Sequence, residues 1–196
     1  MLFRSSDGSR HHAAAGAGAG ERTARIRRAV ANDAVALADL AARTFSDTFG
    51  ADNNPDDLAL HLATSYGVSQ QGAEIANPAW DSLLAEVDGA LAGFAQLREG
   101  TNPECVTQPH PVELYRFYVD RPWHGRGVAQ QLMAAVLDAA RERRADALWL
   151  SVWERNARAQ AFYAKCGYAR AGEKAFVVGT DVQTDWVMVR PLAAEP

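Results

Sequence analysis

Two kinds of apolar pattern alternate along the chain. In residues 32–45 and 129–143 the apolar side chains recur at three- and four-residue spacing, which predicts amphipathic helices. Apolar runs rich in aromatic and β-branched residues, such as 114–119 and 147–153, predict strands. Asp88-Gly89 lies between two further strand-like runs and predicts a tight hairpin turn. The whole pattern predicts the order β-α-α-β-β-β-α-β-α-β-β.

This order is typical of an α/β domain. Strands that alternate with helices in this way predict a mixed sheet covered by helices, with the ligand at the carboxyl ends of central strands. Pro55, directly after Asn54, marks the start of the second helix. Residues 45–54 before it are rich in acidic and aromatic side chains and are predicted as a loop.

The composition narrows the class of protein. With 196 residues, 48% hydrophobic and 22% charged, the chain has the size and apolar content of one globular domain. It contains no apolar run of about 18 residues, so no membrane partner is expected. Two cysteines without metal spacing argue against a disulfide framework and against a metal site, and they favour the cytoplasm. A net charge of -4 disfavours nucleic acid and is compatible with a cationic substrate.

Three segments are predicted. Residues 1–22 are low in complexity and small in side-chain size, so a disordered tail is expected there. Residues 23–192 form the single folded domain, and residues 193–196 are a short terminal tail.

A glycine-rich turn joins the strand at 114–119 to the helix that follows it. In His124-Gly125-Arg126-Gly127-Val128-Ala129, small residues stand where larger side chains would block a ligand, directly before the first helical turn. Backbone N–H groups and the helix dipole can bind an anion at such a turn, so a phosphate-bearing ligand is predicted. A tight strand-to-helix connection without a ligand is the alternative.

Two motifs carry a resemblance to a known family. The His124-x-x-Gly127-x-Ala129 turn resembles motif A of the GNAT superfamily of N-acetyltransferases, with histidine in place of glutamine or arginine. The segment from Trp153 to Tyr168 looks like motif B of that superfamily. The resemblance implies the GNAT fold, a mixed, mostly antiparallel, twisted sheet of about seven strands with about four helices. It also implies acetyl-CoA as co-substrate, held by Tyr118, Val119, His124, Gly125, Arg126, Gly127, Val128, Ala129, Asn156 and Tyr163.

The reaction indicates which catalytic groups to look for. An aliphatic amine with a pKa of about 10.4 is almost wholly protonated at neutral pH, so a base or a water relay must remove a proton. Glu113 corresponds to the base of some family members, and a solvent-facing strand-end acid is the equally weighted alternative. Tyr163 is predicted to give a proton to the departing thiolate, and a backbone N–H near Val119 to stabilise the oxyanion. Asn156 has an alternative role as a helix cap.

A narrower resemblance concerns the acceptor. Residues 44–62 and Gln183-Thr184-Asp185 look like the PaiA-type bacterial polyamine acetyltransferases, although Lys174 stands where a histidine is expected. This implies an acyltransferase that acetylates spermidine, spermine or another small cationic amine by direct transfer. Its acceptor pocket is expected to involve Phe45, Asp47, Thr48, Phe49 and Glu113. A protein or peptide N-acetyltransferase and a non-catalytic acyl-CoA sensor stay open as alternatives, as do a monomer and a homodimer.

Overall fold

The computed structural model describes residues 23–50, 53–178 and 181–193, and the two predicted tails lie outside this range except for residue 193. Seven strands form one sheet in the order β1-β2-β3-β4-β5-β7-β6. These strands are β1 (Arg25–Arg28), β2 (Trp80–Val87), β3 (Ala90–Arg98), β4 (Pro111–Val119), β5 (Ala147–Trp153), β6 (Ala169–Val178) and β7 (Asp181–Pro191). All neighbouring pairs are antiparallel except β4 and β5, which run parallel.

Five α-helices lie in the described part of the chain, where about four are predicted. They are α1 (Ala34–Phe49), α2 (Pro55–Ser65), α3 (Val68–Ala76), α4 (Val128–Glu142) and α5 (Ala157–Lys165). None of them combines the length and the apolar character that crossing a bilayer requires. The predicted mixed, mostly antiparallel sheet of seven strands is confirmed.

Two local predictions are wrong for physical reasons. α3 escapes prediction because its buried face carries Gln71 and Glu74, so the segment shows no apolar periodicity. The predicted loop at 45–54 is helical up to Phe49. The Thr44 and Thr48 hydroxyls donate to the carbonyl groups of Leu40 and Thr44, which lets polar residues continue the helix.

Other local predictions are confirmed. Asn54 caps α2, because its side chain accepts a hydrogen bond from the Asp56 N–H at 2.8 Å. The β2–β3 hairpin turns at Asp88 and Gly89, whose φ angles of 53° and 80° are those of a primed turn.

The core has a separate apolar cluster on each face of the sheet. α4 packs on one face, where Val128, Leu132 and Val136 are fully buried with residues of β3 and β5. α1 covers the other face through Leu37, Leu40 and Phe45, which pack against strand residues including Leu84 and Phe94. Each fully buried aliphatic or aromatic side chain contributes about 1.5–3 kcal/mol, so the sheet is held from both sides.

Candidate active site

The parallel pair at the centre of the sheet comes apart before its strands end. β4 and β5 are paired only at Pro111, Val112 and Glu113, opposite residues 147–149. Beyond this point β4 stays paired with β3 through Val119, and β5 stays paired with β7 through Trp153. The two strands therefore diverge, and a gap opens in the middle of the sheet.

A cavity of about 400 Å³ occupies this gap. Every residue of β4 from Leu114 to Val119 lines it, although successive side chains point to opposite faces of a strand. Ser151, Val152 and Trp153 line it from β5 in the same way. The cavity therefore passes through the sheet, and two ligands can enter it from opposite faces and meet between the strands.

The turn before α4 lines one end of the cavity. Gly127 is the N-terminal cap with φ +82°, and Gly125 has φ +72°, a region that disfavours L side chains. A Cβ atom at Gly125 would meet no atom within 4 Å, so the turn is open there. The N–H groups of the first turn have no partner inside the helix and are directed toward this opening.

His124 holds the turn to the end of β4. Its Nε2 donates a hydrogen bond of 2.7 Å to the Val119 carbonyl. Its side chain therefore fastens the turn, which leaves the backbone N–H groups for an anion. Trp123, Gly125, Ala129 and Gln130 also line the cavity.

Two of the predicted cofactor-binding residues do not line the cavity. Val128 is fully buried in the core, and Arg126 lies over the Trp123 ring at 5.7 Å. Val128 can therefore offer a ligand only its backbone, whereas the Arg126 side chain is exposed beside the turn.

The N–H of Val119 points into the gap. The Asp120 N–H donates to the Ala92 carbonyl, so it faces β3. Hydrogen-bonding direction alternates along a strand, so the N–H of Val119 faces the opposite edge, where β5 has diverged. A free backbone N–H at this place suits a developing oxyanion.

α5 brings two predicted residues to the cavity wall. Asn156 lines it and caps α5, because its Oδ1 accepts a hydrogen bond from the Ala159 N–H at 3.1 Å. Tyr163 is buried among Phe117, Phe162 and Tyr168, at ring distances of 5.5–6.2 Å. Burial raises the pKa of Tyr163 above its ordinary value, and the nearby Cys166 adds to this effect. The phenol is therefore neutral and carries its proton at physiological pH.

The far end of the cavity is aromatic. The Phe45 ring lies 4.6 Å from Phe49 and 4.7 Å from His61, and Phe49 lies 6.0 Å from Trp153. Thr48, Phe176 and Asp185 complete this wall. Phe45, Thr48 and Phe49, which the resemblance implies for the acceptor pocket, all line this end of the cavity.

The two acidic residues predicted for the acceptor pocket, Asp47 and Glu113, do not line the described cavity. Glu113 is buried below the cavity, and its carboxylate accepts a hydrogen bond of 2.5 Å from Arg98 Nε. Because Arg98 pairs with this carboxylate and Glu113 does not line the cavity, the geometry disfavours Glu113 as the base and as a substrate contact, and that assignment stays a prediction.

Two titratable side chains at the aromatic end were not predicted as functional residues. Burial lowers the pKa of His61, and the nearby Arg116 cation lowers it further, so the imidazole is neutral at pH 7. Burial raises the pKa of Asp185, while a hydrogen bond from Ser151 and the charge of Lys174 partly offset this rise. The sequence shows both residues only as parts of the narrower resemblance, without a role.

Comparison with known proteins identifies the family. A model of the Acetyltransferase (GNAT) family matches residues 36–168, more than half of the chain. The chain belongs to the GNAT family of acetyltransferases. It is therefore an N-acetyltransferase, as predicted, and acetyl-CoA is the co-substrate of this enzyme class.

Two relatives and one solved structure support the GNAT assignment. An uncharacterized N-acetyltransferase in the pepI 3' region of Lactobacillus delbrueckii subsp. lactis is 37% identical over 149 residues, 76% of this chain and 86% of the relative. An uncharacterized N-acetyltransferase of Mycobacterium tuberculosis is 34% identical over 160 residues, 82% of this chain and 98% of the relative. The PaiA N-acetyltransferase of Thermoplasma acidophilum, solved in complex with coenzyme A, has a TM-score of 0.71 over 87% of this chain and 99% of its own.

The likeness to the Thermoplasma structure supports the fold and does not identify the acceptor. The Thermoplasma protein is 18% identical to this chain, which shows a shared GNAT fold and leaves the PaiA-type prediction unconfirmed. The described residues contain no group of three His, Cys, Asp or Glu side chains able to hold a metal ion.

Proposed function

We propose that this protein transfers the acetyl group of acetyl-CoA directly to the primary amine of a small cationic molecule. The observation that carries the proposal is the cavity through the sheet, which has an anion-binding turn at one end and an aromatic pocket at the other. We call these ends the donor half (His124, Gly125, Gly127, Ala129, Asn156) and the acceptor half (Phe45, Thr48, Phe49, His61, Trp153, Phe176, Asp185). A ternary complex fits this arrangement without a covalent acyl-enzyme.

The donor half suits the pyrophosphate and pantetheine of coenzyme A. N–H groups at the start of α4 bind the pyrophosphate, as helix N-termini bind phosphate in general. The pantetheine arm extends between β4 and β5, past Tyr118, Val119 and Asn156. The thioester then lies beside the Val119 N–H and near the Tyr163 hydroxyl.

The transfer step follows from these positions. His61, neutral at pH 7, takes one proton from the bound ammonium group. The amine nitrogen attacks the thioester carbon, and the Val119 N–H stabilises the oxyanion. When the C–S bond breaks, the electron pair goes to sulfur, and Tyr163 donates a proton to the thiolate. The proton lost by the new amide nitrogen restores the Tyr163 phenol through solvent, so one proton is released per turnover.

A small amine is proposed as the acceptor. The aromatic rings and the single carboxylate of the acceptor half favour an organic cation. Spermidine and spermine belong to this proposal through the sequence resemblance, although the two acids predicted for the acceptor pocket, Asp47 and Glu113, do not line the described cavity.

A thiol-release assay tests the function. Acetyl-, propionyl- and succinyl-CoA are each offered with a panel of small amines and with peptides that carry a free amino terminus. Fast release with acetyl-CoA and a small amine is expected, together with an acetylated product of the right mass. Release with peptides alone would favour a peptide N-acetyltransferase. Tight coenzyme A binding without turnover on any amine would favour the acyl-CoA sensor and overturn the proposal.

A further inference from the structure

One buried acid differs from the others in this protein. Glu74, Asp81, Glu113 and Asp120 are all buried, and each lies within 4.0 Å of an arginine nitrogen. Asp185 is as buried as these, with 5% of its surface exposed. Among the residues that the structure describes, no lysine or arginine nitrogen lies within 4.0 Å of its carboxylate. The charge of Lys174 on the neighbouring strand offsets only part of the cost of burying this carboxylate, so its place in the cavity wall leaves it available to a ligand.

The position of Asp185 is set by the sheet. β7 runs between β5 and β6, and Asp185 faces Trp153 on one side and Lys174 on the other. Ser151 on β5 interacts with its carboxylate and partly offsets the rise that burial causes in the pKa of Asp185. Ser151 and Trp153 also line the cavity, so the carboxylate lies next to the gap where the thioester is proposed to bind. It is the one acidic side chain among the described residues that line the cavity.

The surroundings of Asp185 suit one ammonium group on an apolar body. Trp153 is in edge contact with Phe49, and the Phe45 and His61 rings continue the wall. Aromatic faces near a carboxylate attract an organic cation and pack against the hydrocarbon or aryl group attached to it.

Lys174 limits the number of positive charges that the bound ligand can carry. It faces Asp185 in the ladder and lines the cavity, and its Nζ lies over the Trp149 ring at 5.4 Å. A second cationic group on the same ligand would approach this ammonium and be repelled.

We infer that Asp185 binds the reacting ammonium group and that Lys174 excludes a second cation, so that the acceptor is a monoamine with an apolar or aromatic body. This inference rests on the proposed acetyl transfer and narrows it, because it disfavours spermidine and spermine. Asp185 acts by contact with the substrate, and Lys174 acts by selecting among substrates.

The first experiment compares amines of matched length. Wild-type protein is given hexylamine, diaminohexane, 2-phenylethylamine and spermidine with acetyl-CoA, and thiol release is followed. The kcat/KM for the two monoamines is expected to exceed that for diaminohexane and spermidine. Lys174→Met is expected to raise the ratio of kcat/KM for diaminohexane to kcat/KM for hexylamine by about 10-fold or more. The inference is overturned if wild type prefers spermidine and Lys174→Met leaves the ratio unchanged.

The second experiment needs no turnover. Hexylamine binding to the protein saturated with coenzyme A is measured by calorimetry for wild type and for Asp185→Asn, which keeps the shape of the side chain. Loss of the carboxylate charge is expected to weaken hexylamine binding by about 10- to 100-fold, with coenzyme A affinity unchanged. Glu173→Gln is the control, because Glu173 precedes Lys174 on the opposite face of β6 and pairs with Arg170.

The outcomes of the two experiments separate the two proposals. Unchanged coenzyme A affinity shows that Asp185→Asn is folded, so equal hexylamine binding in wild type and variant would overturn the inference. Hexylamine binding that depends on Asp185, without acetylation of any amine, would leave the ammonium site standing and refute acetyl transfer.

Discussion

The donor half and the acceptor half of the cavity recognise their ligands by different means. The donor half presents backbone N–H groups at the start of α4 and along the free edge of β4, with His124 holding the turn to Val119. The acceptor half presents side chains, chiefly aromatic rings with His61 and Asp185, from elements far apart in the sequence. Backbone recognition depends on local conformation, whereas side-chain recognition depends on which residues the fold brings together.

This difference predicts how each half responds to substitution. In the donor half, a change of backbone conformation should matter more than a change of side chain. In the acceptor half, single side chains should alter the rate and the choice of amine while coenzyme A affinity stays constant. Tyr163, between the two halves, should affect chemistry alone.

Tyr163→Phe is expected to have the largest effect. Its phenol is needed only when the thiolate leaves, so kcat should fall by about 10²- to 10⁴-fold with little change in coenzyme A affinity. Since burial raises the pKa of the phenol, no loss of activity from its ionisation is expected below pH 10.

Tyr168→Phe is the matched control for Tyr163→Phe. The Tyr168 hydroxyl is buried and has no hydrogen-bond partner among the described residues, so its removal should leave both rate and stability intact. Equal rates for wild type and Tyr163→Phe in single-turnover measurements would show that the Tyr163 hydroxyl takes no part in the reaction.

The same contrast explains what the sequence could predict. The donor half was predictable because Gly125, Gly127 and Asn156 lie in contiguous motifs whose local conformation is their function. The acceptor half was predictable only in Phe45, Thr48 and Phe49. The role proposed for Asp185 and the doubt about Glu113 both depend on which cation lies opposite each acid, and neither pairing can be predicted before the strand register is known.

The pH dependence of kcat/KM tests the role proposed for His61. If His61 deprotonates a bound ammonium group, kcat/KM should rise only up to the imidazole pKa, which lies below 6.5, and stay level until the amine itself ionises near about pH 10. In His61→Gln only free amine can react, so kcat/KM should rise tenfold per pH unit between pH 7 and 9. At pH 7 the variant should be slower by about 10²-fold.

His110→Gln controls for the removal of an imidazole, because His110 is exposed and outside the described cavity wall. It should keep the level profile of the wild type. A wild-type profile that itself rises across pH 7–9 would contradict proton removal by His61 and favour capture of the free amine.

Gly127→Val tests the backbone in the donor half. A β-branched residue at φ +82° is strained by at least about 1–2 kcal/mol, and relief of the strain turns the first N–H groups of α4 away from the ligand. Coenzyme A affinity should fall by about 10- to 100-fold. Gly89→Val, at φ +80° in the β2–β3 hairpin, has the same kind of strain and should lose stability without losing coenzyme A affinity.

Glu113→Gln is expected to have the smallest effect on activity. The glutamine oxygen can still accept the hydrogen bond from Arg98 Nε, so the main loss is the charge of the pair, about 1 kcal/mol of unfolding free energy in urea titration. Because the residue does not line the cavity, kcat should change by less than about threefold. Glu99→Gln, at an exposed pair with Arg143, should change neither quantity. A loss of about 10²-fold in kcat for Glu113→Gln alone would show that Glu113 is the base and that it acts through water from below the cavity. The acceptor half would then select the amine without removing its proton.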